Sequence, residues 1–363
     1  MKKSQKKQLF SIAFVLLLAG LTFLTLYFSG DDLSIETLRA TFNACNGWWL
    51  TAAVVCMLLY SLFEAIALHV ISANLGYRKK FTSSLAYSAS DVYYSGITPS
   101  ATGGQPASAY YMIRDGIPGG TACFALVFNL LCYTAALLVI GIVVFVTNFS
   151  MFLGFSFWVK VLVIAGFVAQ ATLMTLFIAC IVRPGAVRKL GNFFVTLLLR
   201  IRILKNEEKW RTKVNDSVEK YRSCYECFKK QRLLFWKVLF FNVVQRVALI
   251  MVSVFVCLSM IDCSPWEMFS MQAYAMIGYN SIPLPGGSGA YEYLYLNIYG
   301  GVFTAEFTLV AMLVTRLISY YLSILVNGVY TMIYHVFAPS ARGKGQETQT
   351  TSNEKEVDCD EKS

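Results

Sequence analysis

The chain has 363 residues, 56% of them hydrophobic and 14% charged, with 31 Lys and Arg against 21 Asp and Glu, a formal net charge of +10. A soluble domain averages about 25% charged residues. This composition, with a mean hydropathy of +0.56, therefore excludes an ordinary soluble domain and describes an all-α polytopic membrane protein. In such a chain a basic excess marks the cytoplasmic side rather than a nucleic-acid partner, and none is expected.

The basic start Met1–Lys7 precedes an apolar run from Leu9 to Phe28. That run is about 30 Å long as a helix, enough to span. It lacks a small-residue cleavage site, so it reads as a retained first span rather than a signal peptide. Further spans are expected at 48–71, 121–147, 157–182, 233–260 and 303–337. Loop charges set their direction. The amino terminus is basic and inside. Asp31, Asp32 and Glu36 place the next loop outside, and Arg78, Lys79 and Lys80 return the chain inside. Arg183, Arg188 and Lys189 follow the fourth span inside, Asp262 and Glu267 the fifth outside, and Arg342 and Lys344 the sixth inside. Both termini are then cytoplasmic.

Two segments interrupt the spans with closely similar loops. The first reads Ile97-Thr-Pro99-Ser-Ala-Thr102-Gly103-Gly104-Gln105-Pro106, the second Ser281-Ile-Pro283-Leu-Pro285-Gly286-Gly287-Ser-Gly289. Each has proline, a Gly-Gly pair, small residues, and a Tyr-rich stretch ending at Gly116 or Gly300. The offset is nearly constant, 183 residues from Gly103 to Gly286 and 184 from Gly116 to Gly300. Gly/Pro-broken hydrophobic segments in matching places of two halves point to a transporter's binding site. The charge bookkeeping closes if 81–120 and 265–302 are re-entrant, one from each face. This gives about six spanning helices plus two re-entrant Gly/Pro-broken segments in an inverted-topology repeat. The competing count makes both segments full crossings with shorter helices. Non-helical backbone at membrane depth must be buried in protein or line a wet cavity. Two half-helices meeting there would aim N–H groups at an anion such as phosphate.

The domain reading follows. Residues 1–182 form a first membrane half with its re-entrant segment 81–120. Residues 183–232 form a basic helical region, and 233–339 a second half with re-entrant segment 265–302. A polar tail, 340–363, lacks any apolar period and reads as disordered. In the basic region, Leu190, Phe194, Leu197, Ile201 and Leu204 recur at helical spacing beside Arg200, Arg202 and Lys205. That pattern suits either an interfacial helix on an anionic inner leaflet or a cytoplasmic hairpin packed on the membrane domain.

Ionisable residues inside spans are functional candidates by default. Glu64, Arg246 and Arg316 fall in spans, Asp91 before the first Gly-Gly loop, Glu292 after the second, and Arg114 with Asp115 at the end of the first re-entrant unit. Glu64 and Arg246 either face one cavity, where the arginine pairs a lipid phosphate, or form a structural ion pair. Lys160 and Lys237 lie near span ends and snorkel. The ten cysteines build no framework. Cys224 and Cys227 form a lone CxxC, and the two histidines, His69 and His335, are remote from it, so neither a metal nor another cofactor is expected. No Ser-His-Asp set or nucleotide-binding loop is present either.

Together, Pro99–Pro106, Tyr110, Tyr111, Gly116 and Pro283–Gly289 with Glu292 resemble the lysylphosphatidylglycerol synthase transmembrane-region family. This is the flippase-like domain family that includes the membrane part of the bacterial multiple peptide resistance factor. The resemblance covers about residues 5–340. It implies a bacterial cell membrane location, a link to cationic-peptide resistance, and translocation of an anionic or aminoacylated phospholipid between leaflets. In the full-length factor a soluble acyltransferase-like domain makes lysyl-phosphatidylglycerol from lysyl-tRNA. Here a short polar tail follows the sixth span, so a flippase is the leading reading. A phosphatidylglycerol lysyltransferase, or a membrane subunit working with a soluble synthase partner, is the alternative, and inverted repeats would equally suit a small-solute transporter. Membrane phospholipids are the expected partners, and oligomers are allowed.

Overall fold

The computed structural model describes residues 45–98, 101–182, 207–280 and 289–338, with residues 196, 282 and 287 singly. The expected first span, most of 183–206 and the tail lie outside the described residues, as do Pro99, Pro283, Pro285 and Gly286.

Among the described residues every regular element is helical. In chain order they are α1 (Gly47–Asn74), α2 (Phe81–Ile97), α3 (Gly104–Arg114), α4 (Gly119–Thr147), α5 (Phe149–Gly154), α6 (Phe157–Val182), α7 (Glu207–Lys230), α8 (Arg232–Met260), α9 (Pro265–Asn280), α10 (Ala290–Tyr299), α11 (Ala305–Arg316) and α12 (Ser323–Phe337). Five stretches are long and apolar enough to cross a membrane: α1, α4, α6, α8 and the continuous run Ala305–Phe337. They coincide with the second to sixth expected spans to within a few residues. α6 wears its membrane contact openly, because Val161, Ile164, Val168, Leu176 and Ile178 are all exposed. On a soluble protein such a stripe would be an aggregation surface; on a lipid-facing helix it is the solvent match.

The centre is an antiparallel pair, α1 against α8. Asn46 N–H donates to Ser259 O at one end (2.8 Å), Trp49 stacks on Phe255, and Phe63 stacks on Phe241 towards the other. Between them, Gln245 Nε2 donates to Glu64 Oε2 (3.3 Å). Because the pair is antiparallel, the Asn74 and Arg232 ends lie together and the Asn46 and Met260 ends lie together.

Each Gly-Gly segment is a broken hairpin. α2 and α3 pack on one another, as do α9 and α10. The first hairpin follows α1, so it enters from the Asn74 end. The second follows α8 and enters from the opposite end. The first is closed at its base: Asp115 Oδ2 accepts from Tyr87 (2.7 Å) and Tyr334 (2.6 Å), and Arg114 Nη2 donates to His335 O (3.0 Å) and Ala338 O (2.6 Å). The second is held by Ser253 of α8, which bonds the hydroxyls of Tyr295 (3.3 Å) and Tyr299 (3.1 Å). On its outer side Gly166 of α6 lets the helices close up, since a Cβ there would lie 2.3 Å from Ile277 O.

The last span is not one regular helix. Between α11 and α12 it takes a π-helical turn, Leu317–Leu322. Such turns widen a helix locally and recur at functional sites. Tyr320 in this turn donates to Gly96 O at the first hairpin (2.8 Å). Helix α7 packs on α4 through Tyr221, which is buried in a T-shaped contact with Phe124.

Candidate functional site

The first tip turns on backbone closeness. Thr98 Oγ1 donates to Tyr94 O (2.6 Å) and accepts from Gly103 N–H (2.9 Å). Ala101 sits at φ 52°, an unusual conformation for a residue with a Cβ. Gly104, opening α3, lies directly on Asp91: a Cβ there would stand 2.0 Å from Asp91 Oδ1 and 2.7 Å from Asp91 O. Asp91 also accepts from Gln105 Nε2 (2.7 Å) and Ser95 Oγ (3.2 Å). The carboxylate thus clasps its own tip.

The second tip has a matching clasp with different atoms. Gly287 (φ +66°) and Gly289 (φ +84°) occupy the left-handed region. Gly289 N–H donates to Glu292 Oε2 (2.6 Å), and Glu292 Oε1 accepts from Arg316 Nε (2.9 Å). One carboxylate therefore ties the start of α10 to the start of the π-helical turn.

The tips converge on one cavity of about 520 Å³. Ser95, Gly96 and Ala101 come from the first hairpin, and Asn280, Ile282 and Gly287 from the second. Tyr60, Tyr133, Arg246, Gln272, Thr315, Arg316, Ser319 and Tyr320 add polar wall, and Leu173 and Leu249 add apolar wall. The two arginines are held in different ways. The Arg316 guanidinium is ion-paired to Glu292 and lies over the rings of Tyr291 (4.2 Å) and Tyr320 (5.1 Å). Arg246, buried at 3% exposure, makes no ion pair among the described residues. It rests 3.7 Å above the Tyr133 ring, meets the Tyr60 ring at 5.2 Å and reaches Tyr60 Oη at 3.5 Å. The expected structural alternative, an ion pair with Glu64, is not formed. Glu64 instead accepts from Ser88 (3.2 Å) and Gln245 (3.3 Å). Arg246 Nε, Gln272 Oε1, Tyr291 Oη and Thr315 Oγ1 at the cavity are buried without a hydrogen bond among the described residues. Buried polar groups without partners are expensive, and a polar ligand or water entering the cavity would satisfy them.

Of the residues singled out in the sequence, Arg246, Arg316 and Gly287 line this cavity. Glu64, Asp91, Gly104, Gln105, Gly289 and Glu292 support it from behind. Thr102 and Pro106 lie exposed on the first tip, and Gly103 is engaged with Thr98. Arg114 is elsewhere, at the base of the first hairpin on His335 and Ala338, because α3 carries it the length of the hairpin away from the tip. Sequence reasoning missed the five tyrosines 60, 133, 279, 291 and 320 that line the cavity. Tyr60 stands one helical turn from Glu64, a spacing that could have flagged it. Nothing in the sequence signals the π-helical turn.

Fold and cavity together define a polytopic helical membrane protein with a polar, cationic chamber between two broken hairpins. The chain belongs to the family described as the lysylphosphatidylglycerol synthase TM region, whose model matches residues 8–326. No curated protein matches the chain.

Proposed function

We propose that this protein is a flippase-like carrier that moves an anionic or aminoacylated phospholipid, of the lysyl-phosphatidylglycerol type, between leaflets. The observation that carries this reading is Arg246: a buried guanidinium, in no ion pair among the described residues, in a cavity formed by the tips of two hairpins entering from opposite ends. A guanidinium binds phosphate through a planar fork, the hydroxyls of Tyr291 and Thr315 can donate to the remaining headgroup oxygens, and Gln272 Oε1 can accept from a headgroup hydroxyl or ammonium. On this reading the halves are an inverted-topology repeat of six spans with both termini in the cytoplasm of a bacterial cell. The basic 183–232 region lies on the anionic inner leaflet. The test is translocation of fluorescent phosphatidylglycerol in proteoliposomes, scored by loss of protection from dithionite. We expect protein-dependent exposure of inner-leaflet lipid; a rate equal to that of protein-free vesicles sinks the proposal.

The family's description favours a second reading, a phosphatidylglycerol lysyltransferase or the membrane subunit of one. Purified protein given lysyl-tRNA and phosphatidylglycerol separates the two. We expect no lysyl-lipid above background, and robust product would replace the flippase reading.

A further inference from the structure

A second titratable centre lies behind the cavity wall. Glu64 of α1 and Asp91 of α2 are both buried, at 6% and 8% exposure, and lie side by side, because Glu64 accepts from Ser88, one turn before Asp91 on α2. Adjacent buried carboxylates do not both stay ionised. Around the pair are uncharged donors: Ser88 and Gln245 on Glu64, Ser95 and Gln105 on Asp91. The charged and titratable groups facing it are Arg246 from α8 and Tyr60 from its own helix, with Tyr133 of α4 behind the guanidinium. α3 contributes Gln105, and α12 reaches only the neighbouring Ser61, through Asn327. Gln245, 1% exposed, has its Oε1 buried beside Glu64 without a donor among the described residues.

Charge balance connects the two. With one shared proton the pair carries one negative charge, which offsets Arg246, while Glu292 offsets Arg316. An arriving phosphodiester adds one more negative charge to a buried chamber. Net charge at this depth is expensive, and a second proton on the pair removes it. We propose that binding of the phosphodiester headgroup at Arg246 is linked to uptake of one proton by the Glu64–Asp91 pair, which makes the proton the coupling ion of transport. Linkage is reciprocal: headgroup binding favours protonation, and protonation tightens binding. The mechanical connection is short, because Asp91 clasps Ser95, Gln105 and the Gly104 backbone, so loss of its charge loosens the first tip. This proposal rests on the lipid reading of the cavity.

The test is calorimetry on the full chain in detergent with dihexanoyl phosphatidylglycerol. Its phosphodiester does not titrate between about pH 5 and 8, so any proton taken up belongs to the protein. Repeating the titration in buffers of different ionisation heat counts the protons. We expect uptake approaching one proton per lipid, and affinity that falls as pH rises, by at most about tenfold per unit. In the double variant Glu64→Gln with Asp91→Asn, which leaves no carboxylate to titrate, uptake and pH slope should both vanish while binding persists. Binding by the wild-type protein without proton uptake overturns the coupling and leaves the lipid reading standing. The double variant retaining the full slope overturns the assignment to this pair. No binding at any pH removes the lipid site and the coupling together.

Discussion

At the scale of single residues, the two arginines of the chamber are not equivalent, although both lie in spans and both line the cavity. Arg316 has Glu292 within 2.9 Å, while Arg246 is held by ring faces and one long contact to Tyr60. Arg246→Lys keeps the charge but loses the fork and the planar stacking on Tyr133. We expect lipid translocation per folded molecule to drop at least tenfold in Arg246→Lys and further in Arg246→Ala, in the range of about 1.5–3 kcal/mol given by a charged hydrogen bond. Unchanged transport in both, normalised to folded protein, would remove Arg246 from the site. The glycines differ as well. Gly104→Ala puts a Cβ against Asp91 backbone and carboxylate, whereas Gly154, at the end of α5, has open space around it. Overpacking of this kind destabilises by about 1–3 kcal/mol. Thermal unfolding in detergent should therefore show a clear loss for Gly104→Ala and little change for Gly154→Ala.

At the scale of elements, each hairpin tip is secured by one carboxylate acting on its own Gly-Gly segment, Asp91 in the first and Glu292 in the second. The second clasp spans two elements and can be separated by mutation. Glu292→Ala removes the carboxylate paired with the buried Arg316 and frees the Gly289 N–H; removing one member of a buried pair typically destabilises by about 3–5 kcal/mol. The double variant Glu292→Ala with Arg316→Met removes the buried cation as well. We expect it to recover folded yield over Glu292→Ala alone, measured by monodisperse protein after size exclusion, while translocation stays impaired because the cavity loses a cation. The broken hairpins were legible as elements because Pro and Gly cannot continue a helix. The π-helical turn was not: Leu-Ile-Ser-Tyr-Tyr-Leu is an unremarkable helical sequence, and its Tyr320 bonds Gly96 O, a contact with a distant segment that no local pattern announces.

For the molecule as a whole, the antiparallel α1–α8 pair sends the two hairpins in from opposite ends, so the loop after α1 and the loop after α8 belong on opposite faces of the membrane. Lys80 and Asp262 are exposed in those loops. Lys80→Cys and Asp262→Cys, in a background without other accessible cysteines, should label with an impermeant maleimide from different sides of oriented vesicles. Labelling of both from one side would falsify the opposed arrangement.

By itself the sequence determined the class, the family, the long apolar helices and the existence of two broken segments. These follow from local properties: runs of hydrophobic residues of membrane length, glycine and proline punctuation, and a near-constant offset between similar motifs. Only the tertiary structure decided which charged groups meet. Glu64 and Arg246 sit on facing helices, yet their pairing depends on rotation and register between α1 and α8, which hydropathy leaves open when a helix is apolar nearly all round. The packing turned Glu64 towards Asp91 and left Arg246 on tyrosine faces. It also carried Arg114 to the far end of its hairpin and gathered the five tyrosines, from five separate elements, around the cavity. Contacts between distant segments arise from three-dimensional packing, and no periodicity within one segment encodes them.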